Sequence, residues 1–79
     1  MNYRILYFAS LRDAAGSERE DFVAATADAR ALYAQLRERH GFVLGHERLR
    51  VAVNGEFARW DRVLADGDEI AFLPPVSGG

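Results

Sequence analysis

Apolar and polar residues alternate along most of the chain, and the period changes once, over residues 28–39. In residues 3–9, Tyr3, Ile5, Tyr7 and Ala9 fall on one side of a strand and Arg4, Leu6 and Phe8 on the other. Both sides carry large apolar groups, which predicts a central strand whose second face is covered or kept for a partner. Ser10 is the expected N-cap of a short turn that Gly16 ends. Residues 18–24 predict a returning edge strand, apolar at Phe22 and Val23 and guarded by Glu18, Arg19, Glu20 and Asp21. Residues 28–39 then switch to helical spacing, with Ala29, Leu32, Tyr33 and Leu36 on one stripe, Asp28 as N-cap and His40-Gly41 as the stop. Arg30, Arg37, Glu38 and Arg39 fall on the solvated side of this helix, and residues 42–47 read as a loop. Leu49, Val51 and Val53 mark the inward face of a further strand, which Asn54-Gly55 turns back on itself. A short strand around Phe57 follows, with Trp60, Val63 and Leu64 expected on the core. Asp66-Gly67-Asp68 turns the chain into residues 69–73, where Ile70 and Phe72 point inward. Ala71 and Leu73 are left on the outer face, alongside Leu6 and Phe8.

Strand, strand, helix and further strands define an α+β domain, a mixed sheet crossed by one main helix. A right-handed crossover after the first hairpin favours the β-grasp arrangement, with the first and last strands parallel at the centre. Residues 1–73 are expected to form this domain, and residues 74–79 an extended tail. A chain of 79 residues buries only about 60% of its unfolded surface, which leaves little room for an enclosed active site.

Composition narrows the chemistry. The net charge of −2 argues against a nucleic-acid binder, which needs a basic face. Cysteine is absent, which excludes a side-chain thiolate and a cysteine metal site. No run approaches the roughly 20 apolar residues that span a bilayer, so no membrane association and a cytoplasmic location are expected. All 10 basic residues are arginine, so no side-chain amine is present to accept an isopeptide bond. His40 and His46 have no cysteine or tight carboxylate cluster beside them and read as helix-end and surface residues rather than metal ligands or bases. Asp66, Asp68 and Glu69 fail calcium-loop spacing, and Ser10 and Ser77 lack a neighbouring base. No phosphate-binding glycine motif is present, so no intrinsically bound cofactor is expected.

What remains is the end of the chain. Pro74 and Pro75 fix φ near about −65° and remove two backbone donors, so the sheet stops and an extended stem begins. After Val76, the residues Ser77, Gly78 and Gly79 carry almost no side chain and suit a narrow channel. The α-carboxylate at the tip is ionised at neutral pH, its reference pKa being about 3.3 to 3.7. Leu6, Phe8, Phe57, Ala71 and Leu73 share the outer sheet face near the tail's exit and are the expected docking surface for a protein that receives the tail.

The segment from Leu6 to Asp13, the run Val51-Ala52-Val53-Asn54, and the block from Asp66 to Gly79 resemble the MoaD family, the small subunit of molybdopterin synthase. The resemblance implies a ubiquitin-like β-grasp sulfur carrier. It implies that an E1-like adenylyltransferase uses ATP to adenylate Gly79, that sulfur from a persulfide donor replaces AMP, and that the resulting thiocarboxylate is donated to cyclic pyranopterin monophosphate. It further implies that Gly78 is the slender neighbour of the sulfur-bearing residue. Phe8, Phe57 and Leu73, with Arg12 as a weaker candidate, would contact the large catalytic subunit and the activating enzyme. The stem and tail residues Pro74, Pro75, Val76 and Ser77 would lie in the same interface. Catalytic side chains for the pterin step would then belong to the partner in a heterotetramer. Alternatives are sulfur delivery to another pathway such as thiamine biosynthesis, a ubiquitin-like protein modifier, and a non-covalent adaptor.

Overall fold

The computed structural model describes residues 1–75, and within them a five-stranded mixed sheet is crossed by one long helix. Strand β1 (Asn2–Tyr7) leads to a short helix α1 (Ala9–Ala15) and strand β2 (Arg19–Val23). Helix α2 (Ala29–His40) follows, then β3 (Arg50–Val53), β4 (Glu56–Ala58) and β5 (Glu69–Leu73). The spatial order is β2-β1-β5-β3-β4. The first and last strands therefore meet at the centre in parallel, Ile5 opposite Ile70 and Tyr7 opposite Phe72, while the other pairings are antiparallel. This is the expected β-grasp order.

One face of the sheet holds the core. Tyr3, Ile5, Tyr7, Val51, Val53, Ile70 and Phe72 pack against Ala29, Leu32, Tyr33 and Leu36 of α2, all of them essentially inaccessible. Asp28 caps α2 as expected, its carboxylate accepting the Arg30 N–H at 3.1 Å, and Gly41 ends the helix at φ 72°. Asn54 and Gly55 both have positive φ, 52° and 85°, which matches the twist of a tight hairpin between β3 and β4. Asn54 also fixes the register of β3 on β5. Its side chain donates to Asp68 and accepts the Glu69 N–H, both at 2.9 Å, while Asp68 accepts the Ala65 N–H at 2.8 Å. Those bonds hold the Asp68 carboxyl below its ordinary range, the Ala65 amide contributing most.

Several local expectations are corrected. The first strand ends at Tyr7, and Ala9 opens α1 with φ 50° instead of extending the strand's inner face. Phe8, not Ser10, takes the N-cap position, in extended conformation and without a side-chain hydrogen bond. What reads as a turn is a helix because Leu11 reaches the core, with only 2% of its surface exposed. Residues 42–47 are not a plain loop. Phe42 is buried on Tyr33 and Tyr7, Tyr33 donates its hydroxyl hydrogen to the Leu44 carbonyl at 2.6 Å, and His46–Arg48 forms a 3-10 turn. Arg37 is tied into that segment, donating to the carbonyls of Phe42 and Val43 at 3.0 Å each. Val63 is 77% exposed, because its backbone bridges to Asp28 and Leu64 takes the core position.

Candidate docking face and tail root

Alternation leaves the second face of the sheet without a helix. Cross-strand register places Leu6 beside Ala71, Ala71 beside Ala52, and Ala52 beside Phe57. Small residues in the two strands between Leu6 and Phe57 make a shallow floor, while Phe8 and Phe57 stand up at its sides, 43% and 62% exposed. The result is a groove of about 230 Å³ lined by Leu6, Phe8, Ala52, Gly55, Phe57, Glu69, Ala71 and Leu73. Phe8, Phe57 and Leu73, far apart in sequence, are thus brought together as expected. Ala52, Gly55 and Glu69 were not anticipated. The signal for Ala52 was the Asn54-Gly55 hairpin itself, which sets Ala52 opposite Phe57.

Arg12 stands one turn into α1 and lines an adjoining cleft of about 250 Å³ with Leu6, Phe8, Glu18 and Arg19, so it borders the groove without entering it. Leu73 ends β5 at the groove's edge; Pro74 is half-buried and Pro75 exposed. The remaining candidates, Val76, Ser77, Gly78 and Gly79, lie outside the described residues.

A polar cluster occupies the opposite side of the sheet, where Glu20 lies across from Ile5. Glu20 accepts from the Tyr7 hydroxyl at 2.5 Å and meets His40 Nε2 at 2.6 Å, with Arg39 at 3.7 Å. His40 therefore locks the end of α2 to the edge strand rather than merely facing solvent. Burial pushes the Glu20 carboxyl up, but the bonds from Tyr7 and His40 and the nearby Arg39 outweigh it and hold the group below its ordinary value. Burial, then the Glu20 hydrogen bond, drive the Tyr7 hydroxyl upward. The cluster is a clamp between β2 and α2. Among the described residues no group of His, Cys, Asp and Glu is arranged to hold a metal ion, and no helix is long and apolar enough to cross a membrane.

Comparison with known families gives a match to the ThiS family over residues 5–79. The chain belongs to the ThiS family. Within it, this ThiS-family chain is 35% identical to the molybdopterin synthase sulfur carrier subunit of Escherichia coli K12, over 96% of this chain and 98% of that protein. Among solved structures, SAMP1 of Haloferax volcanii superposes with a TM-score of 0.80 at 31% identity, covering 100% of both chains. A chain from the complex of subunits 1 and 2 of the molybdopterin-converting factor of Helicobacter pylori gives a TM-score of 0.69 at 29% identity, again over 100% of both. The resemblance carried by the Leu6 to Asp13 segment and the C-terminal block agrees with these findings.

Proposed function

We propose that this chain is the sulfur carrier subunit of molybdopterin synthase, delivering sulfur on the carboxyl group of Gly79 while the groove of Leu6, Phe8, Phe57 and Leu73 docks on its partners. The observation that carries this is the position of an apolar groove, left open by the described residues, at the root of the Pro74-Pro75 stem, because a tail that works inside another protein needs a body held outside it. The similarity to the Escherichia coli sulfur carrier subunit supports the same reading.

In the proposed chemistry an E1-like enzyme lets the Gly79 carboxylate attack the α-phosphorus of ATP, and pyrophosphate leaves. The acyl-adenylate has the leaving group that a bare carboxylate lacks. The terminal sulfur of a persulfide displaces AMP, and a thiol then releases the donor as a disulfide, leaving a thiocarboxylate. That sulfur is delivered in the large catalytic subunit to cyclic pyranopterin monophosphate, in the cytoplasm. This chain supplies positioning and the reactive terminus; the proton-transferring groups belong to the partners.

The test is intact mass after incubation with ATP, the E1-like enzyme from the same source and a persulfide donor. The expected gain equals one oxygen replaced by sulfur and maps to Gly79. A chain extended beyond Gly79 stays unloaded, since its Gly79 carboxyl is in a peptide bond. No gain, with the enzyme active on a known carrier, overturns the proposal. One further reading has an observation in its favour: Haloferax volcanii SAMP1, a small archaeal modifier protein, shares the fold closely. On that reading Gly79 would be found in isopeptide linkage to lysines of other proteins, which peptide mapping detects.

A further inference from the structure

The outer face is apolar at its centre and carries arginines on two of its sides, with Glu69 lining the groove itself and Glu18 the adjoining cleft. On β3, the Arg50 guanidinium lies 4.6 Å from the centre of the Phe57 ring, and cross-strand register sets Arg50 beside Leu73. One cation thus stands between the exposed aromatic ring of β4 and the last residue of β5 before the tail. Across the groove, Arg19 pairs in register with Leu6, and Arg19 and Arg12 line the cleft that adjoins Phe8.

Three arginines of the chain are paired with carboxylates. Arg4 meets Asp21 at 4.0 Å, Arg39 meets Glu20 at 3.7 Å and Arg59 meets Asp61 at 3.2 Å. Arg12, Arg19 and Arg50 pair with no carboxylate among the described residues. Arg30, Arg37, Arg48 and Arg62 likewise pair with no carboxylate among the described residues, but Arg12, Arg19 and Arg50 stand on two sides of the apolar floor in a chain of net charge −2. A guanidinium held over an aromatic ring still has its N–H donors for a planar acceptor, and a carboxylate matches that fork.

We infer that the surface received by this groove is apolar at its centre and flanked by carboxylates, and that Arg50 is a specificity-determining residue that pairs with one of them next to Phe57. This rests on the groove being a docking surface, as proposed above. Rim charges of this kind select the partner and speed encounter more than they hold the complex.

The test measures affinity for the large subunit of molybdopterin synthase from the same source, at low and at high salt. Arg50→Met keeps an apolar stem over Phe57 and removes the charge. Binding weakens about fivefold at low salt and the difference from the unmodified chain disappears at high salt, where exposed ion pairs are screened. Arg50→Glu opposes like charges and weakens binding about a hundredfold at low salt. Phe8→Glu, which disrupts the groove itself, serves as the control, and all three variants are checked for an unchanged thermal transition. If Phe8→Glu abolishes binding while both Arg50 variants bind normally, the inference about Arg50 falls and the docking proposal stands. A salt-independent loss in Arg50→Met also overturns it, since Arg50 then acts only by packing on Phe57. If Phe8→Glu binds normally, the groove is not the docking surface and the inference falls with it.

Discussion

Removing the Glu20 carboxylate breaks the clamp between β2 and α2. In Glu20→Ala the Tyr7 hydroxyl, on a residue only 1% exposed, loses the carboxylate that accepts its hydrogen, and a stranded buried donor costs about 1–3 kcal/mol. The bond to His40 adds to this because both side chains are largely covered, 14% exposed for His40 and 19% for Glu20. Arg39 adds at most about 0.5 kcal/mol, being 58% exposed and 3.7 Å away. The total, about 2–4 kcal/mol, is a large share of the stability of a small domain and lowers Tm by about 10–20 °C. Denaturant unfolding followed by circular dichroism measures it. The pairwise origin is checked by adding Tyr7→Phe, which costs about 1 kcal/mol in the unmodified chain but regains stability in Glu20→Ala, where it removes the stranded buried hydroxyl. The pH dependence has a definite sign. Because the folded carboxyl sits below its ordinary value near 4.5, its contribution is present above that pH and is lost as pH falls through the folded value; Glu20→Gln flattens this part of the acid limb. At the alkaline end, the raised Tyr7 hydroxyl contributes stability below about pH 10 that is lost above it. A cost under about 0.5 kcal/mol for Glu20→Ala, or equal costs of Tyr7→Phe in the two backgrounds, would refute the clamp.

Two further substitutions probe the backbone. Ala9→Gly removes the cost of holding an L-residue at φ 50°; after the entropy gained by the unfolded chain, stability rises by about 0.5 kcal/mol, and a loss of that size in denaturant unfolding contradicts the strain. Asp28→Ala deletes the α2 cap and costs about 1 kcal/mol, whereas Asp28→Asn restores most of it; equal losses in the two would mean that the side chain does not cap.

Local periodicity carried much of the architecture. The α2 stripe, its Asp28 cap, the Asn54-Gly55 hairpin and the inward residues of β5 all follow from spacing and turn chemistry, and those elements close into the expected sheet. The groove was legible for the same reason: once the odd residues of β1 and the even residues of β5 face the core, Leu6 and Ala71, which pair in register, must share the opposite face. What escaped depends on contacts between distant residues. His40 reads as a solvated helix end because Glu38, the acid beside it in sequence, is not its partner, and Glu20, which is, arrives only through the β1–β2 hairpin. Phe42 looked like loop because a single aromatic has no period. Arg50 occupied the polar phase of an alternating strand, and only the pairing with β4 reveals the ring beneath it.

The adjacency of β1 and β5 also sets the order in which the groove comes into being. Leu6 and Phe8 belong to one side of the β1–β5 seam and Ala71 and Leu73 to the other, far away in sequence, so the floor is complete only once those two strands have paired. Pairing β1 with β5 is the most non-local of the sheet's strand pairings and is slow relative to forming α2. A chain in which β1 and β5 have not yet paired therefore lacks the complete groove, whatever the state of α2.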